Sequence, residues 1–421
     1  MLKLDNYICV LDIGSSKIAA CVADINRKRI NDIFFESLPS KGVKRGVIVD
    51  SIELVGSVTR LLKNLKAKSG KKIKFVYANI SGDSIVTKHS RAIMPLAERG
   101  NKVISMSDIE RVIEQARVLG SSLEEDIIHR IPLSFSIDSK SNLLNPLGLY
   151  SHKLEVDLYL ICAKLSSMQS LSRVINQAGF ETKEVFFSGL ATSNACMGQE
   201  FKEGVNLFCD IGSDTTELLF FKDGVLNDIE ILPFGGSELT ERLQDEFKIP
   251  FELAEDIKRS YAVIGDPSQI PEEKEILVKK TNLYKPIKQR MVSEIITLSA
   301  KSICARIKEA VEKKVSCYEV NNFVVVGRSI LLEGFLEMLE GNISIPVKLG
   351  RISNPEIPPS ARENEALSGH KYLTYLTCLG MLSEALHHKS TSMGGSPAHQ
   401  PARNFLVKAV NRFREVYSEY F

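Results

Sequence analysis

The chain spells Asp-Ile-Gly-Ser twice, at residues 12–15 and 210–213, each time behind one apolar run and in front of another. An apolar run, a Gly-Ser turn and a second apolar run read as a tight hairpin between buried strands, because small residues ease a sharp reversal. Such a hairpin aims several backbone N–H groups in one direction, and its small side chains let a phosphate approach. The hydroxyls of Ser15, Ser16, Thr215 and Thr216 add donors. An Asp closing the first strand, Asp12 in one copy and Asp210 in the other, is placed to hold a hydrated Mg2+ that bridges phosphates. One copy alone is an ordinary hairpin. Two copies with the same flanks, followed by a strand-Gly-helix unit at 323–336, imply two similar lobes that each supply one phosphate loop and clamp a nucleotide tail from both sides.

The remaining segments fit around this frame. Strands are expected at 7–13, 18–25, 29–38 and 73–81, a turn at Gly42 and Gly46, and a helix at 51–66 with Ile52, Val55, Val58, Leu62 and Leu65 at helical spacing. Residues 81–165 read as an inserted α+β module. Its helix opens with a Ser107–Glu110 capping box, places Ile109, Val112, Ile113, Ala116 and Leu119 on one face, and ends at Gly120. Strands follow at 127–137 and 153–163, then a helix at 167–178 stopped by Gly179. The first pattern restarts near 205. Helices are expected at 237–247, 252–262, 288–314 and 366–387, with Met291, Ile295, Leu298, Ile303, Ile307 and Ala310 of the third facing inward.

Composition narrows the function classes. With 421 residues, 44% hydrophobic and 25% charged, the chain is ordinary globular material sized for two or three domains. A net charge of +2 gives no global signal for nucleic acid. The eight Cys form no CxxC pair, and Cys9, Cys21, Cys162, Cys209 and Cys378 sit in apolar segments, as reduced core thiols do. Asp12 interrupts the only apolar run near the start, so no signal peptide is expected, and no apolar stretch is long enough for a transmembrane helix. No Ser-His-Asp or paired-carboxylate constellation is readable from spacing, so no catalytic residue is assigned. Glu217 is expected to be solvated or structural, and His387 and His388, beside a linker, are not expected to bind metal.

The end of the chain has a character of its own. Residues 388–403 are rich in Gly, Ser and Pro and read as a flexible linker. In 404–421, Phe405, Leu406, Ala409, Val410, Phe413, Val416, Tyr417 and Tyr420 share one helical face, while Lys408, Arg412 and Arg414 bring basic charge to the segment. A basic amphipathic helix of about 27 Å on a tether reads as an anchor at an anionic membrane surface, against the plainer reading of a helix docked on its own core. Partial burial of the apolar side chains, plus about 1 kcal/mol per basic residue, barely offsets the ordering of the tail, so one copy is a weak anchor. Many copies on one filament hold firmly by effective concentration.

The segments "LDIGSSKI", "CDIGSDTTELLFFKDG", "ILPFGGSELTERL", "AEDIKRSYA" and "VVVGRSILLEGF", in this order, resemble the actin–Hsp70–sugar kinase superfamily. With the insert "IIHRIPLSFSIDSKSNLLNPLGLYSHKLEVDLYLICA", the connection "FFSGLATSNA" and the tail, the chain is more closely similar to the FtsA family of actin-like bacterial cell-division proteins over residues 7–421. The resemblance implies a bilobed actin-like (ribonuclease H-like) α/β fold with duplicated mixed sheets and a small inserted α+β subdomain. The first lobe takes 1–80, 166–204 and part of 366–387, and the insert 81–165. The second lobe takes 205–234 and 321–365, with a smaller helical subdomain at 235–320.

It also implies ATP and Mg as cofactors. Asp12, Gly14, Ser15, Ser16 and Lys17 match the first phosphate loop, and Asp210, Gly212, Ser213, Asp214, Thr215 and Thr216 the second. Gly235 and Gly236 match the glycine turn before a helix, Glu255 and Lys258 the ribose and adenine side, and Gly327, Arg328 and Ser329 the adenosine loop, with Asp12 and Asp210 reaching the metal through water. Ser213 and Asp214 stand where the family has further glycines, and the adenosine loop, which in the family reads Gly-Gly-Gly, here carries the bulky Arg328 where the base approaches. The implied role is a nucleotide-binding adaptor, at most a weak ATPase. It would polymerise head to tail, bind the FtsZ C-terminal peptide on the 235–320 subdomain, meet other division proteins through the insert, and sit in the cytoplasm on the inner face of the cell membrane at the division site. A pilus-assembly scaffold of the PilM type and a small-molecule kinase are the competing readings.

Overall fold

The computed structural model describes residues 7–392 apart from short stretches at 27–28, 98–99, 139, 199–200, 202 and 281–282. The amphipathic segment 404–421 and most of the linker expected before it lie outside the described residues. The chain divides into two units. One comprises Met1–Cys196, Val225–Ile229 and Ile352–Phe421, and the other Met197–Gly224 and Glu230–Arg351.

The first unit is built on a five-stranded sheet. β1 (Tyr7–Ile13) turns back into β2 (Lys17–Asn26), and β2 into β3 (Arg29–Pro39), both pairs antiparallel. A helix, α1 (Ser51–Ser69), returns the chain to β4 (Phe75–Ile80), parallel to β1. Asp50 starts α1 by accepting the N–H groups of Ile52 and Glu53, and Gly70 ends it at φ 67°, a left-handed cap that a side chain would strain. Leu54, Val58, Leu61, Leu62 and Leu65 of α1 are buried on the sheet, at roughly 1.5–3 kcal/mol each. Ile52, expected on that face, is 85% exposed, whereas Leu54 of the same turn is fully buried.

The inserted module carries its own core. β5 (Ile85–Pro95), α2 (Met106–Gly120), β6 (Glu125–Ile137), β7 (Lys140–Leu143) and β8 (Lys153–Lys164) form a sheet in the order β7-β6-β8-β5 with α2 on one face. The capping box lies two residues earlier than expected. Ser105 is the cap and Asp108 its reciprocal partner, a choice helped by Lys102, whose ammonium lies 2.8 Å from Asp108. Ile109, Val112, Ile113 and Ala116 are buried as expected, but Leu119 is 64% exposed. After the module come α3 (Leu165–Gln177), β9 (Glu181–Phe187), parallel to β4, and α4 (Ser188–Cys196). The sheet order is β9-β4-β1-β2-β3.

The second five-stranded sheet repeats this plan. β10 (Val205–Ile211) pairs antiparallel with β11 (Thr216–Lys222), and β12 (Val225–Leu232) follows. Next come α5 (Ser237–Phe247), α6 (Phe251–Tyr261), the hairpin β13 (Glu275–Lys280) and β14 (Leu283–Lys288), and α7 (Gln289–Glu312). β15 (Val320–Val326) is parallel to β10, and after α8 (Phe335–Ile343) β16 (Val347–Leu349) is parallel to β15. The order β12-β11-β10-β15-β16 matches β3-β2-β1-β4-β9 of the first sheet strand for strand. The duplicated mixed sheets expected from the repeated loop are therefore present.

Some expectations change. The 235–320 region is not wholly helical, since it contains the β13–β14 ribbon. On α7 the buried line is Val292, Ile296, Ala300, Ile303 and Ile307, whereas Met291 is 42% and Leu298 71% exposed. Residues 352–365, expected in the second lobe, cluster with the first unit, where Ser353 and Asn354 donate their N–H groups to the Ala195 carbonyl at 3.0 and 3.3 Å. The helix expected at 366–387 is broken near Gly369 (φ 56°) and begins at Leu376, then runs to Ser392 through the first residues of the expected linker. Among the described residues no helix is long and apolar enough to cross a membrane.

Candidate functional site

Each of the two repeated turns closes on itself in the same way. The Gly14 N–H donates to the Lys17 carbonyl at 3.0 Å, and the Gly212 N–H donates to the Thr215 carbonyl at 2.9 Å. A Cβ on either glycine would press on that carbonyl oxygen, at 3.1 and 2.8 Å. Both turns therefore depend on glycine for close approach rather than for an unusual φ.

In the first loop the two functional side chains face each other. Lys17 Nζ lies 2.6 Å from Asp12 Oδ2, and Asp12 is 4% exposed. The other carboxylate oxygen accepts from Asn79 Nδ2 at 2.7 Å. Asn79 in turn accepts the Ile13 N–H at 2.6 Å and donates to Ser188 Oγ at 2.8 Å. Asn79 and Ser188 escaped the sequence reading. They lie at the ends of β4 and β9, and only the parallel pairing of β4 with β1 and of β9 with β4 brings them to Asp12. Ser15 Oγ accepts the Gly46 N–H at 3.4 Å, and the Ser16 carbonyl accepts the Ser40 N–H at 3.1 Å, so neighbouring turns fix the loop.

The second unit gathers its elements more closely. The Gly212 and Ser213 carbonyls accept the Gly236 and Ser237 N–H groups at 2.9 and 2.8 Å, laying the glycine turn directly on the loop. A Cβ on Gly235 would sit 2.5 Å from the Ser213 carbonyl oxygen, and one on Gly236 1.8 Å from Ser329 Oγ. Gly327, at φ 118°, packs on the Ile211 carbonyl. The structure thus brings together Gly212, Ser213, Gly235, Gly236, Gly327 and Ser329. Thr216 is buried and donates to the Phe234 carbonyl at 2.9 Å, so its hydroxyl is committed to the fold rather than to a phosphate. The Ser237 and Glu238 N–H groups at the start of α5 also have carbonyl partners, Ser213 and Gly235. Asp214 and Thr215 are half-buried in the loop. Asp210 is half-buried opposite Glu217, and Glu217, expected to be solvated or structural, is 4% exposed and therefore not solvated.

Beside the glycine turn, Lys258 is 3% exposed and its Nζ reaches the Gly236 carbonyl at 3.0 Å, Thr240 Oγ1 at 2.7 Å and Glu255 Oε2 at 2.6 Å. Burial pushes the Lys258 ammonium below its ordinary value, and the Glu255 carboxylate recovers only part of the shift. Burial also works against the Glu255 carboxylate, but Lys258 and Thr240 outweigh it and hold the group below the usual carboxylate range. Thr240, which joins the two, carried no sequence signal. Arg328 is exposed, with Glu255 and Arg259 within electrostatic reach.

Comparison with known proteins agrees with this architecture. The family described as "SHS2 domain inserted in FTSA" matches residues 82–162, and "Cell division protein FtsA" matches 207–376. The chain is 28% identical over 350 residues to the cell division protein FtsA of Borreliella burgdorferi, covering 82% of this chain and 84% of that one. Among solved structures it is similar to a PilM-PilN type IV pilus biogenesis complex (TM-score 0.63, 14% identity, 91% of this chain and 99% of that one). It is also similar to MreB5 of Spiroplasma citri bound to ADP (TM-score 0.54, 11% identity, 93% and 99%). With its duplicated mixed sheets, its insert after β4 and these matches over the insert and over residues 207–376, the chain belongs to the FtsA family of cell division proteins and has the actin-like fold.

Proposed function

We propose that this chain is an ATP-binding, filament-forming adaptor that tethers FtsZ to the inner face of the cell membrane at the division site and meets later division proteins through its insert. The observation that carries the nucleotide reading is the identical Gly-to-third-residue closure of the two loops, Gly14–Lys17 and Gly212–Thr215. The residues suit Mg-ATP. Glycines packed against backbone oxygens leave main chain where a side chain would obstruct, and Lys17 holds a cation beside Asp12 at the loop. Lys17, Ser15, Ser16, Ser213 and Thr215 would hold phosphates, and Asp12 and Asp210 the metal's waters, while Gly327 and Arg328 would adjoin the adenosine. The bound group supplies polyphosphate charge and its counter-cation, and the chain supplies donors and orientation.

The peptide-tethering reading draws support from α7. Met291 and Leu298 are exposed, with Ile295 half-buried between them, so the subdomain presents an apolar stripe at helical spacing. The membrane reading rests on the amphipathic pattern of 404–421.

Equilibrium titration with labelled ATP, with and without Mg2+, tests the nucleotide claim. Saturable Mg-dependent binding that weakens at least about tenfold in Asp12→Ala is expected, as for the loss of one charge contact. Equal binding by the variant would refute it. Titration with an FtsZ C-terminal peptide against a pilus peptide tests the partner. Anionic vesicles with and without 404–421 test the anchor, which fails if the shortened chain remains bound.

A further inference from the structure

A small cavity lies where the insert meets the first sheet. Its apolar walls are Val43, Val47 and Ile48, on the ribbon that pairs Val43–Lys44 with Val47–Ile48, Ile80 at the end of β4, and Leu171 on α3. Val43, Ile80 and Leu171 are buried. Ser166 and Ser170, both exposed on α3, mark the mouth, and Ser167 is half-buried beside them. Ser84 Oγ donates to Ser167 Oγ at 3.0 Å, which ties together the two ends of the insert at this mouth. The cavity measures about 120 Å3, close to the ~150 Å3 that accommodates benzene in an apolar core. Among the described residues no charged side chain lines it.

The rest of the lining is continuous with the first loop. Ile13 ends β1 directly before Gly14. Gly46 donates its N–H to Ser15 Oγ at 3.4 Å, and Asn79 donates to Asp12 Oδ1 at 2.7 Å. The Asn79 amide is already committed, its oxygen to the Ile13 N–H and its nitrogen to Asp12 and Ser188. Hydrogen bonding to a guest therefore falls to the serines. Ser167 accepts from Ser84 and keeps its own hydroxyl hydrogen to donate.

We propose that this cavity binds a small uncharged molecule with an apolar body and one hydroxyl or amide group, and that its occupancy alters the first loop. The volume limits the body to about one ring. Apolar walls reward its burial, the serines at the mouth satisfy one polar group, and an ionised group would lose its hydration with no counter-charge to replace it. A body held between the ribbon and α3 presses on Gly46 and Asn79, which hold Ser15 and Asp12. The binding half of the proposal stands on the cavity alone, and the coupling half rests on the nucleotide reading above.

Phenol is the probe, titrated into the full chain by ligand-observed NMR, with benzoate as its charged counterpart. Saturable phenol binding in the millimolar range is expected, with benzoate weaker by about tenfold or more. Val47→Phe fills the wall and Ser170→Phe the mouth, and each should weaken phenol binding by about tenfold or more. Ser170 is exposed, so Ser170→Phe should keep the parent's melting curve and decides the matter if Val47→Phe does not fold. Leu298→Phe, at an exposed position of the second unit, should bind phenol as the parent does. Saturating phenol should shift the ATP dissociation constant of the parent by about fivefold or more, and ATP should shift that of phenol by the same factor. No saturable phenol binding by the parent, undiminished binding by Ser170→Phe, an equal loss in Leu298→Phe, or benzoate binding as tightly as phenol overturns the site. Phenol binding that leaves ATP affinity unchanged overturns the coupling. A parent that binds phenol but not ATP supports the site and overturns the nucleotide reading, and the coupling with it.

Discussion

The Lys17 ammonium lies 2.6 Å from the Asp12 carboxylate, and the far oxygen of that carboxylate is held by Asn79 at 2.7 Å. A nearly buried acid at the root of the first loop is thus neutralised by the loop's own lysine and oriented by a residue from a neighbouring strand. The pair binds the loop to the sheet and sets a cation where a phosphate would approach.

Lys17→Met should destabilise the first unit by about 3–5 kcal/mol, because it leaves a charge at Asp12 in a buried setting. Asp12→Asn combined with Lys17→Met should recover most of that loss. Urea unfolding of the four chains in a double-mutant cycle measures the coupling, and additive losses would show the pair to be independent.

The glycine turn offers a contrast between neighbours. A Cβ on Gly235 meets backbone oxygens at 2.5 and 2.6 Å, so Gly235→Ala must shift the second loop and should cost about 1–3 kcal/mol while weakening ATP binding. A Cβ on Gly236 meets chiefly the end of the Ser329 side chain, which can rotate away, so Gly236→Ala should cost less. Thermal melts together with ATP titration separate the two.

His129 is half-buried and its Nε2 accepts the Phe187 N–H at 2.9 Å. Burial, with His388 adding to it, pushes the imidazole from its ordinary 6.5 down to about 3. The unfolded chain therefore takes up a proton below pH 6.5 that the folded chain refuses until about pH 3. Stability from this group is full above 6.5 and falls as the pH drops through that window, by about 1.4 kcal/mol per unit at most. Unfolding midpoints between pH 4 and 7 should show this slope, and His129→Gln should flatten it.

On α7, Ile296→Ala should cost about 2–5 kcal/mol, since the side chain is fully buried. Leu298→Ala, 71% exposed, should change stability by less than about 0.5 kcal/mol yet weaken binding of the FtsZ peptide. Denaturation and peptide titration of the two variants check both halves.

Much of this was legible from local pattern. The strands around Gly14 and Gly212, α1 and the restart of the plan near 205 all follow from apolar runs, turn residues and caps, whose physics acts within a few residues. Phase was less legible. Met291, Ile295 and Leu298 share one face of α7, nearly opposite that of Ile303 and Ile307, and only the partners of α7 decide which face is buried. The Ser105–Asp108 cap displaced Ser107–Glu110 because Lys102 adds a charge partner that a motif alone does not weigh.

The sequence by itself determined that there are two glycine hairpins with strands on either side, a separate module between the halves of the first unit, and a final basic amphipathic segment. These are properties of neighbouring residues and of composition. Only the tertiary structure decided that Asn79, itself held by Ser188, orients Asp12, that Gly235 and Gly236 brace the second loop, and that Glu184 meets His388 of the C-terminal helix. Each joins residues tens to hundreds of positions apart, and strand pairing and side-chain packing, to which local periodicity is blind, choose among such contacts.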